Sequence, residues 1–348
     1  MIATDIQGNR GNYVSGISTG ELATRITAYS RGSDHPDLQV YRRDVDNYNW
    51  ERFGWWIRLI AGLGNFYGNK RILEIGCGFG WEAAALSLET DATVVAMDIL
   101  PSMIDGVQEC LDASKARGEN FSVEALVGDV CTVDLPAGSF DGMFSSEAVE
   151  HVHSLEAMYV RCFTLLKPGG RLVIANDSNA YNDEFRIRNM GMWPERDESW
   201  EHAKWLATEV RPVEHADTKP YGAMREEMIR AVQPQLSDDD MKKVVYATAG
   251  LIKPEVEAAA AKFVADGSLP VRPELSWCRN PETGEYAERL LDPFEMVDGL
   301  KAAGFKVSMQ HSFRRFPLTW LNHIPIRALN KLIFRKKALF LIVAEKPM

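Results

Sequence analysis

The chain has no closely spaced cysteine pair. Its five cysteines (Cys77, Cys110, Cys131, Cys162 and Cys278) are odd in number, far apart, and form no CxxC. This excludes a disulfide framework of the small secreted type and a zinc site built on paired thiolates, and it fits reduced thiols in a cytoplasmic protein. No apolar run is long enough to cross a bilayer. The opening stretch MIATDIQGNRGNYVSG lacks the apolar centre of a secretory signal. Positive charge is also scarce: 39 Lys and Arg stand against 49 Asp and Glu, a net charge of −10. A field of that sign disfavours non-specific nucleic-acid binding, so no nucleic-acid partner is expected. Internal repeats and low-complexity segments are absent. The 46% hydrophobic and 25% charged residues are those of an ordinary globular chain, long enough for one or two domains.

The polar residues 1–40 read as a loose arm or lid. Residues 40–64, with Tyr41, Tyr48, Trp50, Phe53, Trp55, Trp56 and Ile57, have mostly helical apolar spacing and predict one helix packed on the main body. From Arg71 the pattern alternates. Strands are expected at Arg71–Ile75, 92–98, 121–127, 140–145 and 171–176, and helices at 81–88, 101–116 and 155–166. Pro101 suits the first turn of its helix, where its missing N–H costs nothing. Strands separated by helices of this length imply a parallel sheet covered on both faces. The rhythm breaks from about 178 to 290. Helices are expected at 199–210, 221–232, 238–248 (behind an N-cap at Ser237) and 255–266, with a turn at 279–284. A segment of roughly a hundred residues is too long for a structureless loop. The alternation resumes with a helix at 293–303 and strands at 305–311 and 338–345.

The strongest local signal is Leu73-Glu-Ile-Gly-Cys-Gly-Phe-Gly80, placed where a strand turns into a helix. Glycines there let the backbone turn tightly and approach a ligand, and the next helix aims its N-terminal N–H groups at it. A dinucleotide fold wants G-x-G-x-x-G. Here the spacing is G-x-G-x-G, and Glu74 precedes the first glycine by two. A carboxylate at that place repels a pyrophosphate and suits a ligand carrying an amino group.

Glu74-x-Gly76-x-Gly78-x-Gly80 resembles the cofactor signature of class I S-adenosylmethionine-dependent methyltransferases. Further marks follow in order: Asp98 at the end of the second strand, Gly128-Asp129-Val130 at the end of the third, Phe140-Asp141 and Ser145-Ser-Glu-Ala-Val-Glu-His-Val152 around the fourth, and Leu166-Lys-Pro-Gly-Gly-Arg-Leu172 before the fifth. The resemblance implies a Rossmann-like, doubly wound α/β fold with a seven-stranded mostly parallel sheet, its last strand antiparallel, and a helical insertion after strand 5. It also implies an organisation of 1–64 as N-terminal arm and aromatic helix, 65–178 plus 290–348 as the cofactor domain, and 179–289 as an insertion capping the substrate. Its implied cofactor site comprises Glu74, Gly76, Cys77, Gly78, Gly80, Asp98, Ile99, Met103, Gly128, Asp129, Val130 and Ser145, with Asp98 on the two ribose hydroxyls and Asp129 on the adenine amine. Cys77 reads as a small buried filler rather than a nucleophile, since nothing beside it marks an activated thiol.

His151 and Glu150 are the candidate catalytic residues. An imidazole titrates near neutrality and suits proton removal from an acceptor. Glu147-x-x-Glu150-His151 also resembles the E-x-x-E-H segment of quinone-biosynthesis O-methyltransferases. That likeness opens a divalent-cation reading of Glu147, Glu150 and His151 beside the expectation of no metal, and it favours an oxygen acceptor. Trp193, Trp200, Trp205, Tyr221, Trp277 and Tyr286 are either core or acceptor-pocket aromatics. Residues 311–337 carry seven Lys and Arg and no acid among large apolar residues. They are either a solvated basic face or a weak contact with a membrane surface or anionic lipid-linked acceptor. The expected protein is a cytoplasmic enzyme for O-methylation of a small-molecule, natural-product, peptide-carboxylate or lipid-linked acceptor, with a homodimer open to it. The competing reading is a non-catalytic cofactor-binding scaffold that presents its insertion to a partner.

Overall fold

The computed structural model describes residues 16–310 and 327–348. Strands β1 (Arg71–Ile75), β2 (Thr93–Asp98), β3 (Val123–Val127), β4 (Phe140–Ser146), β5 (Leu166–Asn176), β6 (Lys306–Gln310) and β7 (Phe340–Glu345) form one seven-stranded sheet in the order β3-β2-β1-β4-β5-β7-β6. All pairs are parallel except those of β7, which runs antiparallel to β5 and β6. Strand order reverses between β1 and β4, and a crevice opens at such a point beyond the carboxyl ends of the strands.

Alternation along the strands builds two cores. Ile72, Val94, Ala96, Phe144 and Val173 pack on one face with α1 (Thr19–Ser30), α2 (Pro36–Asp46), α3 (Trp50–Gly64), α4 (Trp81–Thr90) and α5 (Pro101–Ala116). Leu73, Val95, Met97, Met143 and Ile174 pack on the other with α6 (Leu155–Leu165), α12 (Pro293–Ala302) and α13 (Arg327–Phe334). Between β5 and α12 run α7 (Asp183–Glu198), α8 (Trp200–Trp205), a π-helical turn (Leu206–Val210), α9 (Tyr221–Val232), α10 (Asp238–Ala247) and α11 (Lys253–Asp266). Two small cores hold this segment. One is built on Trp193, Tyr221 and Trp277, the other on Ile229, Val244 and Val256. Arg225 is fully buried and bound by both carboxylate oxygens of Asp197 at 2.8 Å. The paired geometry satisfies a charge that would be costly to bury alone.

Three expectations need correction. The segment read as a loose arm contains α1, capped by Ser18, whose side chain accepts from Glu21 N–H, and anchored through Leu22, Ile26 and Tyr29. Residues 40–64 form two helices rather than one, because Asn49 accepts from Arg52 N–H and starts a new helix. Helix α7 has no counterpart among the expected helices, because Pro194 interrupts its sequence pattern. It persists around the buried Trp193, with Asn182 as its cap. Among the described residues no helix is long and apolar enough to cross a membrane. Most of the basic segment, 311–326, lies outside the described residues, as do 1–15 of the arm.

Candidate active site

The crevice beyond β1, β2, β3 and β4 is a cavity lined by the backbone turn at Gly76 and Gly78, by Asp98, Ile99 and Met103 after β2, by Gly128, Asp129 and Val130 after β3, and by Glu147, Ala148, His151 and His153 after β4. The glycine turn is tied across the sheet, with the Gly76 and Cys77 N–H groups both donating to Met97 O, at 2.9 and 3.0 Å. Gly76 has φ +73°, and a Cβ added there would lie 2.3 Å from the Ala148 Cβ. Gly78 faces open space. A Gly76→Ala variant is therefore expected to lose about 2 kcal/mol of stability through backbone strain and overpacking. A lowered midpoint in denaturant unfolding is the readout, and an unchanged midpoint would contradict it.

Asp98 accepts from Gly78 N–H through one carboxylate oxygen (2.9 Å) and from Leu100 N–H through the other (3.0 Å). Each oxygen keeps a second lone pair for a ligand hydroxyl. Asp129 accepts from Cys131 N–H at 2.9 Å and lies 3.5 Å from His153 Nδ1. Four implied cofactor residues do not line the cavity. Ser145 is buried and donates to Ile75 O at 2.9 Å, locking β4 to β1. Cys77 is buried, and burial pushes its thiol well above the usual range, so it packs rather than reacts. Gly80 caps α4. Glu74 is 3% exposed, with Oε2 lacking any partner.

His151 lines the cavity; Glu150 does not. Glu150 is 3% exposed and accepts from the Asn176 side-chain amide. His151 Nδ1 lies 2.8 Å from Tyr286 O, and its Nε2 lies 3.9 Å from Glu150 Oε1 and 3.7 Å from Glu288 Oε1. Since a carbonyl only accepts, Nδ1 carries the proton, and in the neutral ring Nε2 carries the lone pair. Burial alone would lower the His151 pKa. Glu150, Glu288, the Tyr286 carbonyl and Glu285 outweigh it, and the net direction is upward.

Glu147 takes φ +50° and accepts from Asp177 N–H at 3.0 Å. Burial, then Asp177 and Glu150, push its carboxyl up to about 10, so it holds a proton near neutrality. Among the described residues, the donor groups close enough to share an ion are Glu150, His151 and Glu288, and separately Asp129, Cys131 and His153. The sequence grouping of Glu147 with Glu150 and His151 is thus replaced by one containing Glu288, because Glu147 is turned toward Asp177.

Three lining residues carry no sequence signal: Arg211, Thr283 and Glu285, all from the segment after β5. Asn280 builds the turn that presents the last two, its side chain accepting from the Glu282 and Thr283 N–H groups. Tyr286 N–H donates to His151 O at 3.3 Å, tying the turn to the loop after β4. Trp193, Tyr221 and Trp277 are core, Trp200 and Trp205 are exposed, and Tyr286 lies between Arg279 and Arg289. None of these six aromatics lines the cavity.

The lining fits S-adenosylmethionine better than a dinucleotide. Asp98, Asp129 and Glu285, with Glu147 held neutral, line it against a single arginine. That arginine is already engaged by Glu214 and the Tyr41 hydroxyl. Acceptor groups suit ribose hydroxyls, an adenine amine and an ammonium, while a pyrophosphate would find no free cation among the described lining residues.

Comparison with known proteins bears on the same stretch. Residues 73–174 match the family described as methyltransferase domain. Phosphoethanolamine N-methyltransferase 1 of Arabidopsis thaliana is 31% identical over 112 residues, which are 32% of this chain and 22% of that protein. Sterol 24-C-methyltransferase of Pneumocystis carinii is 32% identical over 115 residues, 33% of this chain and 29% of that protein. The matched stretch thus spans less than a third of either relative. Among solved structures, phosphoethanolamine N-methyltransferase 2 of Haemonchus contortus in complex with S-adenosyl-L-methionine has TM-score 0.45 at 14% identity, covering 100% of this chain and 60% of that one. An S-adenosylmethionine dependent methyltransferase of Mesorhizobium loti has TM-score 0.40 at 13% identity, covering 82% and 95%. With the glycine turn, the strand-end acids and the seven-stranded sheet in place, the stretch from 73 to 174 is a class I S-adenosylmethionine-dependent methyltransferase domain.

Proposed function

We propose that the chain transfers the methyl group of S-adenosylmethionine to an oxygen of a small-molecule, natural-product, peptide-carboxylate or lipid-linked acceptor. One observation carries the reading: a single cavity is lined by the strand-end acids Asp98 and Asp129, by the imidazole of His151, and by Arg211 and Glu285 of the long segment after β5. Bound there, the cofactor supplies an electrophilic methyl and leaves as a neutral thioether. The protein's share is alignment, exclusion of water and removal of the acceptor proton. His151 is the base, with Nδ1 fixed by Tyr286 O and Nε2 free to accept. The 179–289 segment acts as the substrate cap, since its turn at 280–285 brings Glu285 to the cavity. Among oxygen acceptors a hydroxyl is favoured, because it must lose its proton, whereas a carboxylate or a neutral amine attacks without a base.

The test has two steps. Calorimetric titration with S-adenosylmethionine, S-adenosylhomocysteine and NADH should show micromolar binding of the first two and none of the third. Incubation with methyl-labelled cofactor and a cell extract should then yield labelled product. Alkali releases label from an ester as methanol and leaves it on an ether or amine, which identifies the acceptor atom. Cofactor binding without turnover in any extract would favour the scaffold reading.

A further inference from the structure

The turn after β3 is built on Asp129. One of its carboxylate oxygens accepts from Cys131 N–H at 2.9 Å, and its carbonyl accepts from the Thr132 and Val133 N–H groups at 3.0 and 2.7 Å. The loop after β4 meets this turn. Cys131 Sγ donates to Ser154 O at 3.4 Å, and Ser154 caps α6, its side chain accepting from Ala157 N–H. His153 precedes that cap, and its Nδ1 lies 3.5 Å from Asp129 Oδ2. A carboxylate oxygen of Asp129, the Cys131 sulfur and a ring nitrogen of His153 all lie within 4.8 Å of one another. Asp129 and His153 line the cavity. Methyl transfer uses neither this thiol nor this imidazole.

The three donors have the chemistry of a zinc site. Thiolate and imidazole suit zinc, and a carboxylate completes such a set, whereas calcium and magnesium take oxygen ligands. Tetrahedral zinc, with bonds of about 2.0–2.3 Å, holds its ligand atoms about 3.3–3.6 Å apart. The Asp129–His153 separation matches that spacing, and the sulfur lies at most 4.8 Å from either partner. Three protein ligands leave a fourth position for water. Cys131 is the one of the five cysteines that is not buried. Partial burial and the Asp129 carboxylate push its thiol up to about 12, so by itself it is no nucleophile. A bound cation replaces the thiol proton, which passes to solvent.

We propose that Asp129, Cys131 and His153 form a zinc site that excludes the cofactor's adenine, so that zinc and the nucleoside compete for Asp129. The ion joins the loop after β3 to the loop after β4 and takes the carboxylate oxygen that an adenine amine would use. The competition rests on the methyltransferase reading of the cavity; the ion site does not.

The probes are zinc chloride, followed by calorimetry, and cobalt(II), followed by absorbance. Wild type should bind zinc, and cobalt(II) should give a thiolate-to-metal charge-transfer band in the near ultraviolet. Cys131→Ser should lose the band and weaken zinc by more than the cost of losing an outer-shell partner, about 10–100-fold. The band separates this site from Glu150, His151 and Glu288, which offer no sulfur. His153→Gln should also weaken zinc, and thermal melting checks that each variant is folded. Free zinc at about ten times its Kd should weaken 5′-methylthioadenosine, which keeps the adenine and ribose of the cofactor, about tenfold in wild type. The same zinc concentration should leave that ligand unchanged in Cys131→Ser. Absence of the sulfur band, equal zinc affinity in wild type and Cys131→Ser, or nucleoside binding indifferent to zinc would overturn the proposal and leave the methyltransferase reading intact. A folded wild type that shows the zinc site but binds neither 5′-methylthioadenosine nor S-adenosylhomocysteine overturns the methyltransferase reading, and the competition with it.

Discussion

Asp98→Ala is expected to weaken S-adenosylhomocysteine and 5′-methylthioadenosine alike, by about 10²–10⁴-fold. Two charge-assisted hydrogen bonds of about 1.5–3 kcal/mol each are removed from a vicinal diol that both ligands carry. The carboxylate has a second task. It accepts from Gly78 N–H and Leu100 N–H, and so holds the glycine turn and the entry to α5 in their ligand-facing shape. Asp98→Asn separates the two roles. Its carbonyl oxygen still accepts from one N–H, while its amide NH₂ is set against the other, so an intermediate loss is expected. Because the lesion is at the ribose, Asp98 variants should not discriminate between the two ligands. The measurement is calorimetric titration of variants whose thermal unfolding matches wild type. A change of less than about threefold in either Kd would remove Asp98 from the binding site and with it the ribose assignment.

The sequence discloses most where local chemistry decides the structure. Arg71–Ile75 and 101–116 lie where alternation, proline and glycine place them, because a buried parallel strand and a first-turn proline need no distant partner to be recognised. Helices α1 and α7 were hidden for the opposite reason. The first is polar and is held by three buried apolar side chains against the neighbouring helices; the second contains Pro194 and is held by Trp193. The site divides the same way. Gly76, Gly78, Asp98 and Asp129 are legible because turn and strand-end positions follow from the strands themselves. Glu285 is not. Its turn is built locally by Asn280, but its place beside His151 depends on the Tyr286 N–H to His151 O and His151 Nδ1 to Tyr286 O bonds between residues 135 positions apart. Glu150 shows the limit of motif reading in another form. Its segment is recognisable, yet the side chain turns inward to Asn176, and it acts on the cavity through its charge on His151.

That charge leads to the prediction that bears most on catalysis. His151→Gln should lower turnover by about 10²–10⁴-fold, the usual range for removing a general base, with the Kd for S-adenosylhomocysteine unchanged. Glutamine keeps a donor for Tyr286 O and offers no basic nitrogen. In wild type the imidazole must be neutral to accept a proton. Burial would lower its pKa, but Glu150, Glu288, the Tyr286 carbonyl and Glu285 together hold it above the ordinary value of about 6.5. The rate should therefore climb with pH across the interval above that value and level off once the ring is neutral. Stability runs the other way. A histidine whose folded pKa is raised contributes stability that is full below the unfolded pKa and is lost as pH rises through the folded one. Turnover should thus gain over the same interval in which the His151 contribution to stability is lost. Glu150→Gln provides the internal check. Removing the largest upward influence on His151 should move the rising limb of the profile to lower pH and keep most of the plateau rate. A base role for His151 fails if His151→Gln turns over within a few-fold of wild type, or if the profile of Glu150→Gln superimposes on that of the unaltered enzyme.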